Sequence, residues 1–129
     1  MPDQTLARIE HEIAALEAIA RERGALGDVL EPAIALVART LRAQLDAEGK
    51  PAPADDADLL EVWRALVKGD PTWNAIRDNC RELVFYRNCL ALGRTDALPP
   101  APHQMAVRTA RHIFLYVRSR AQRDAGAGR

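Results

Sequence analysis

The chain has one serine, two lysines, two cysteines and six aromatic side chains in 129 residues. Each shortage excludes something. Two cysteines cannot build a disulfide framework. With aromatics at 5%, the residues that favour strands are scarce, and no alternating pattern is present. The longest apolar run is the six-residue stretch 33–38, far short of the roughly 20 residues a bilayer span needs, so no membrane association is expected. The start, Met1-Pro2-Asp3-Gln4-Thr5, has neither the basic residues nor the apolar core of a secretory leader, and a cytoplasmic location is expected. Motifs are missing as well. The sequence has no Cys-x-x-Cys, no phosphate-cradling glycine loop, no His-Glu-x-x-His and no Gly-x-Ser-x-Gly. The lone Ser119 offers no triad. These gaps point to a non-enzymatic protein without cofactor or metal.

What is abundant favours helix. The chain holds 24 Ala, 16 Arg and 15 Leu, all strong helix formers. Five helical segments are predicted in a single all-α domain, a compact antiparallel bundle of four to five helices. A helical hairpin occupies 1–48, with helices over about 3–22 and 29–48. Leu6, Ile9, Ile13, Leu16 and Ala20 form the seam of the first, and Gly24 and Gly27 stop it. Ile34, Val37, Leu41 and Leu45 line the second, whose start falls at Glu31 or Pro32 because proline suits only a first turn. A Pro/Gly linker spans 49–54.

Three further helices fill 55–123. One covers about 55–68, opened by Asp55, Asp56 and Asp58, and buries Leu59, Val62 or Trp63, and Leu66. Gly69-Asp70-Pro71 then supplies a C-terminal glycine, an N-cap and a first-turn proline in succession, starting a helix over 71–92. After a proline-rich connector the last helix covers about 103–123, with Val107, Ala110, Phe114, Val117 and Ala121 inward. Residues 124–129 are expected to be a disordered tail.

Zero net charge conceals an asymmetry. Residues 1–62 carry 13 acidic and 6 basic groups, whereas residues 63–129 carry 12 basic and 5 acidic ones. One explanation is that the acidic helices pack against the basic ones, opposing wrong pairings. The other is a functional basic surface. Arg108, Arg111 and Arg118 fall on one flank of the last helix, a segment without acidic residues over 103–123. Such a flank could hold a nucleic-acid backbone or an acidic protein.

The fourth helix is apolar on two sides. Trp73, Ile76, Cys80, Leu83, Arg87 and Leu90 share one face, while Phe85, Cys89 and Leu92 make a second. A two-faced helix is either central or offers one side to a partner. Arg87, in the middle of the first face, either holds an anionic ligand together with Tyr86, pairs internally with a carboxylate such as Glu82, Glu61 or Asp78, or packs its stem in the core with its head reaching water. Cys80 and Cys89 lie half a turn out of phase and about 13 Å apart along the axis, too far to bridge. Both are expected as free, mostly buried thiols in a reducing compartment, Cys89 being the one that could be reactive or exposed at an interface. His11, His103 and His112 lack a second ligand at helical spacing.

The expected function is therefore a small interaction, assembly or regulatory subunit, able to self-associate. Its partner contacts would be Phe85, Cys89, Leu92, Arg108, Arg111 and Arg118. A nucleic-acid-binding module using the last helix is the alternative. An anionic-ligand or enzymatic bundle around Arg87 and Tyr86 is the third reading.

Overall fold

The three-and-four spacing of Leu6, Ile9, Ile13, Leu16 and Ala20 folds as α1 (Pro2–Glu22), with all five side chains buried, in the computed structural model of the chain. The structure describes residues 2–22 and 24–127. Four more helices follow: α2 (Leu26–Ala47), α3 (Leu59–Val67), α4 (Arg77–Ala91) and α5 (Pro102–Ala127). No strand occurs among the described residues, and the fold is an all-α bundle. Helix α2 packs on all four others, most extensively on α5, and α1 packs on both α2 and α5. The α3 and α4 helices cover the remaining side. None of the described helices is long and apolar enough to cross a membrane.

Three helix starts differ from the periodicity reading. Helix α2 begins at Leu26, so Gly27 and Pro32 both lie inside it. A proline in a helix interior costs about 3 kcal/mol through its missing N–H and ring clash. Against that, the extra turns bury Leu26, Val29 and Leu30, at roughly 1.5–3 kcal/mol each. Burial wins, and the carbonyl deprived of its donor belongs to Asp28, an exposed residue.

Helix α3 starts late, at Leu59, because Asp58 serves as its N-cap and accepts a hydrogen bond from the Glu61 N–H at 2.9 Å. An N-cap residue is held in extended backbone, so the helix cannot continue back to Asp55. The Gly69-Asp70-Pro71 junction behaves as its chemistry dictates. Gly69 takes φ +81°, and the Asp70 side chain caps the Thr72 N–H. The residues that follow, Pro71–Ile76, form a 3-10 helix before α4 opens at Arg77. A three-residue repeat stacks Trp73 directly behind Ile76, and both are fully buried.

Helix α4 closes with Gly93 at φ +69°, the Arg94 N–H donating to the Cys89 carbonyl and the Gly93 N–H to that of Leu90. At the other end of the chain α5 continues through Asp124 to Ala127, across part of the stretch expected as a tail. Residues 128 and 129 of that stretch lie outside the described residues.

Candidate functional site

The seam between α1 and α5 is closed by charge. Glu10 and Glu17 are seven residues apart on α1, and Arg111 and Arg118 are seven apart on α5. Arg111 grips Glu17 with two parallel bonds, Nη2 to Oε1 at 2.6 Å and Nε to Oε2 at 3.1 Å. Its Nη1 also lies 3.5 Å from Glu10. Arg118 meets Glu10 at 2.5 Å and lies over the Phe114 ring. The order of the pairs, 17 with 111 and 10 with 118, requires α1 and α5 to run in opposite directions. The Arg111 guanidinium holds the Glu17 carboxyl below the usual carboxylate range. Two of the three arginines on the expected basic flank are thus engaged by the acidic half of the chain, while Arg108 stays exposed.

A second constellation ties α4 to α5. Glu82 accepts from the Tyr86 hydroxyl through Oε1 and from the Thr109 hydroxyl through Oε2, both at 2.9 Å. Tyr86 is buried, and burial followed by the adjacent Glu82 pushes its phenol well above the ordinary value. Arg87 does not pair with Glu82, Glu61 or Asp78. Its guanidinium spans instead to Glu31 on α2, Nε to Oε2 and Nη2 to Oε1, each at 2.8 Å. Tyr86 and Arg87 are thus each engaged by a carboxylate of the chain, on different helices.

The α5 end of the molecule is pinned to the Asp70 turn. Arg120 donates to Asp70 Oδ2 at 3.1 Å and to the Thr72 hydroxyl oxygen at 2.8 Å, with its guanidinium 4.3 Å from the Trp73 ring centre. Trp63 donates its indole N–H to the Trp73 carbonyl at 3.0 Å. The Thr72 hydroxyl, with Arg120 behind it, keeps the Asp70 carboxyl low.

The buried stripe of α4 runs obliquely, from Cys80 and Leu83 to Tyr86 and Cys89. This separates the expected second face. Cys89 is 4% exposed and belongs to the interior, in line with a buried thiol and against the alternative that it is exposed on the second face. Phe85 and Leu92 remain outside, 47% and 76% exposed, and Leu90, expected inward, is exposed too. Cys80 is fully buried, and burial pushes its thiol up to about 12. Both cysteines are free.

Phe85 borders a hollow of about 420 Å³ between α3 and α4, shared with Leu60, Val84, Arg81, Glu82 and Asn88. Arg81, Phe85, Asn88 and Leu92 recur at four-, three- and four-residue steps, the outer stripe of one helix. That stripe was legible in the sequence, but the α3 contribution was not.

The structure does not unite the six expected partner contacts. Thr109 turns toward α4, whereas Arg111 and Arg118 are two and nine residues on, about half a turn away, facing α1. The arginines therefore line one flank of the bundle, and Phe85 and Leu92 another. Among the described residues no group of three His, Cys, Asp or Glu side chains is placed to hold a metal ion. In comparisons with known proteins, the chain matches no family model, no curated protein and no solved structure.

Proposed function

We propose that this chain is a non-enzymatic interaction subunit that docks a protein partner on the outer face of α4. One observation carries the reading: Phe85 on α4 and Leu92 at its C-cap, seven residues apart on one side, are 47% and 76% exposed, and Phe85 borders an open hollow. An exposed aromatic at the edge of a recess, with an aliphatic side chain along the same stripe, is the kind of arrangement from which interface hot spots are built. The exposed Arg81 at the margin favours a partner that brings an apolar side chain and a carboxylate together. The nucleic-acid reading has less support, because Glu17 and Glu10 already occupy Arg111 and Arg118.

A photoreactive side chain at position 92 tests the proposal in the cells that make the protein, with one at the exposed Arg8 position of α1 as control. Adducts should form from position 92 and vanish when Phe85→Ala is added, while helicity stays unchanged. Light scattering across a concentration series then shows whether the partner is a second copy. Equal labelling from both positions, or unfolding of the Phe85→Ala chain, would count against docking on α4.

A further inference from the structure

The arginines around α5 divide into two groups. Arg111, Arg118 and Arg120 each meet a carboxylate. Arg108, and Arg21 in the last turn of α1, make no salt bridge among the described residues, although Arg21 stands near enough to Glu17 to help hold its carboxyl low. Both line a single hollow of about 300 Å³ between α1 and α5, along with Arg111, Glu17 and Gln104. Ala20 and Val107 form its apolar lining.

Charge within this hollow is unbalanced. Three guanidinium groups face one carboxylate, and both Glu17 oxygens are held by Arg111. The lining as a whole therefore carries an excess of two positive charges. Guanidinium forks recognise oxyanions through paired N–H donors, and an excess of two charges suits a dianion. Ligand clefts run from roughly 300 Å³ upward, so this one fits a small molecule. A nucleic-acid backbone would need the basic track to continue, but the next arginine along the seam, Arg118, is bound to Glu10.

We infer that the α1–α5 hollow binds a small phosphate monoester. Its dianionic head is held by Arg21 and Arg108, with Arg111 fixed beside them by Glu17, and its apolar body rests on Ala20 and Val107. The site lies on a different flank from Phe85 and Leu92, so it stands or falls independently of docking on α4.

Titration calorimetry of the full chain with phenyl phosphate, at constant ionic strength in chloride, tests the assignment. One molecule should bind per chain, and inorganic phosphate should bind more weakly because it lacks the apolar body. Arg21→Gln and Arg108→Gln should each weaken binding about tenfold or more, as expected for loss of one charge-assisted contact. The double variant should abolish it. Arg123→Gln, altering an exposed arginine outside the hollow, should leave it intact. Circular dichroism confirms that the surface variants fold. The inference is overturned by absence of saturable phenyl phosphate binding, by retention in the double variant, or by equal weakening with Arg123→Gln. A single-stranded oligonucleotide that binds through Arg21 and Arg108 while phenyl phosphate does not would likewise overturn it, in favour of nucleic acid.

Discussion

The α1-facing flank of α5 and the outward flank of α4 are made of similar material. Each mixes arginine with large apolar residues at helical spacing: Arg111, Phe114 and Arg118 on one, Arg81, Phe85 and Leu92 on the other. On α5 a neighbouring helix supplies Glu10 and Glu17 at the matching seven-residue interval, and Phe114 is buried. On α4 the stripe is only bordered by α3 at Leu60, no described helix closes over it, and Phe85 and Leu92 stay in water. Amphipathic pattern specifies a surface to be covered, and complementary spacing on a second helix decides whether this chain covers it. That contrast is why we propose α4, rather than α5, as the docking surface for a partner.

Substituting the two phenylalanines breaks the comparison most sharply. Phe114→Ala should cost about 3–5 kcal/mol, because it empties a closed site, and Phe85→Ala less than about 1 kcal/mol. Denaturant unfolding of both variants measures the difference, and equal losses would show that Phe85 is core. The ion pairs come next. A double-mutant cycle on Arg111 and Glu17, whose side chains are 23% and 31% exposed, should return a coupling of about 1 kcal/mol. The same cycle on Arg39 and Glu12, at 46% and 50%, should return roughly 0.3 kcal/mol or less and fade with salt.

The smallest effect is the acid response. Glu17 and Asp70 have carboxyls held below their ordinary values of 4.5 and 3.8. A group depressed in the folded state binds protons more readily when unfolded. Its contribution is therefore present above the ordinary value and declines as pH falls through the lower folded one. Thermal melts over that acid range should show stability falling with pH, and Glu17→Gln should make the slope shallower. An unchanged slope would mean that Glu17 gains nothing from Arg111.

Much of this was readable beforehand because it is local. The Gly69-Asp70-Pro71 junction carries its stop, cap and start in three residues, and the inward stripes of α1 and α2 follow from spacing alone. The pairing of α1 with α5 was also latent, since Glu10 and Glu17 repeat at the interval of Arg111 and Arg118. Other features had no local signal. Arg87 meets Glu31 across 56 positions, and nothing in its own helix distinguishes that partner from the nearer Glu82. The start of α2 at Leu26 defeats a sound rule about proline, because burial of distant contacts outweighs it.

Helical identity and the apolar stripes belong to the chain's order, since a 3.6-residue repeat expresses itself in any surrounding. Which stripes end up covered belongs to the assembled bundle. Cys89 and Phe85 both lie on the second apolar face of α4, yet only Cys89 is enclosed. The buried stripe of α4 slants across the helix from Cys80 to Cys89, and that slant comes from its neighbours, α2, α3 and α5. Crossing angles follow from how side chains of separate helices interlock, a property of pairs that no single stretch of sequence contains.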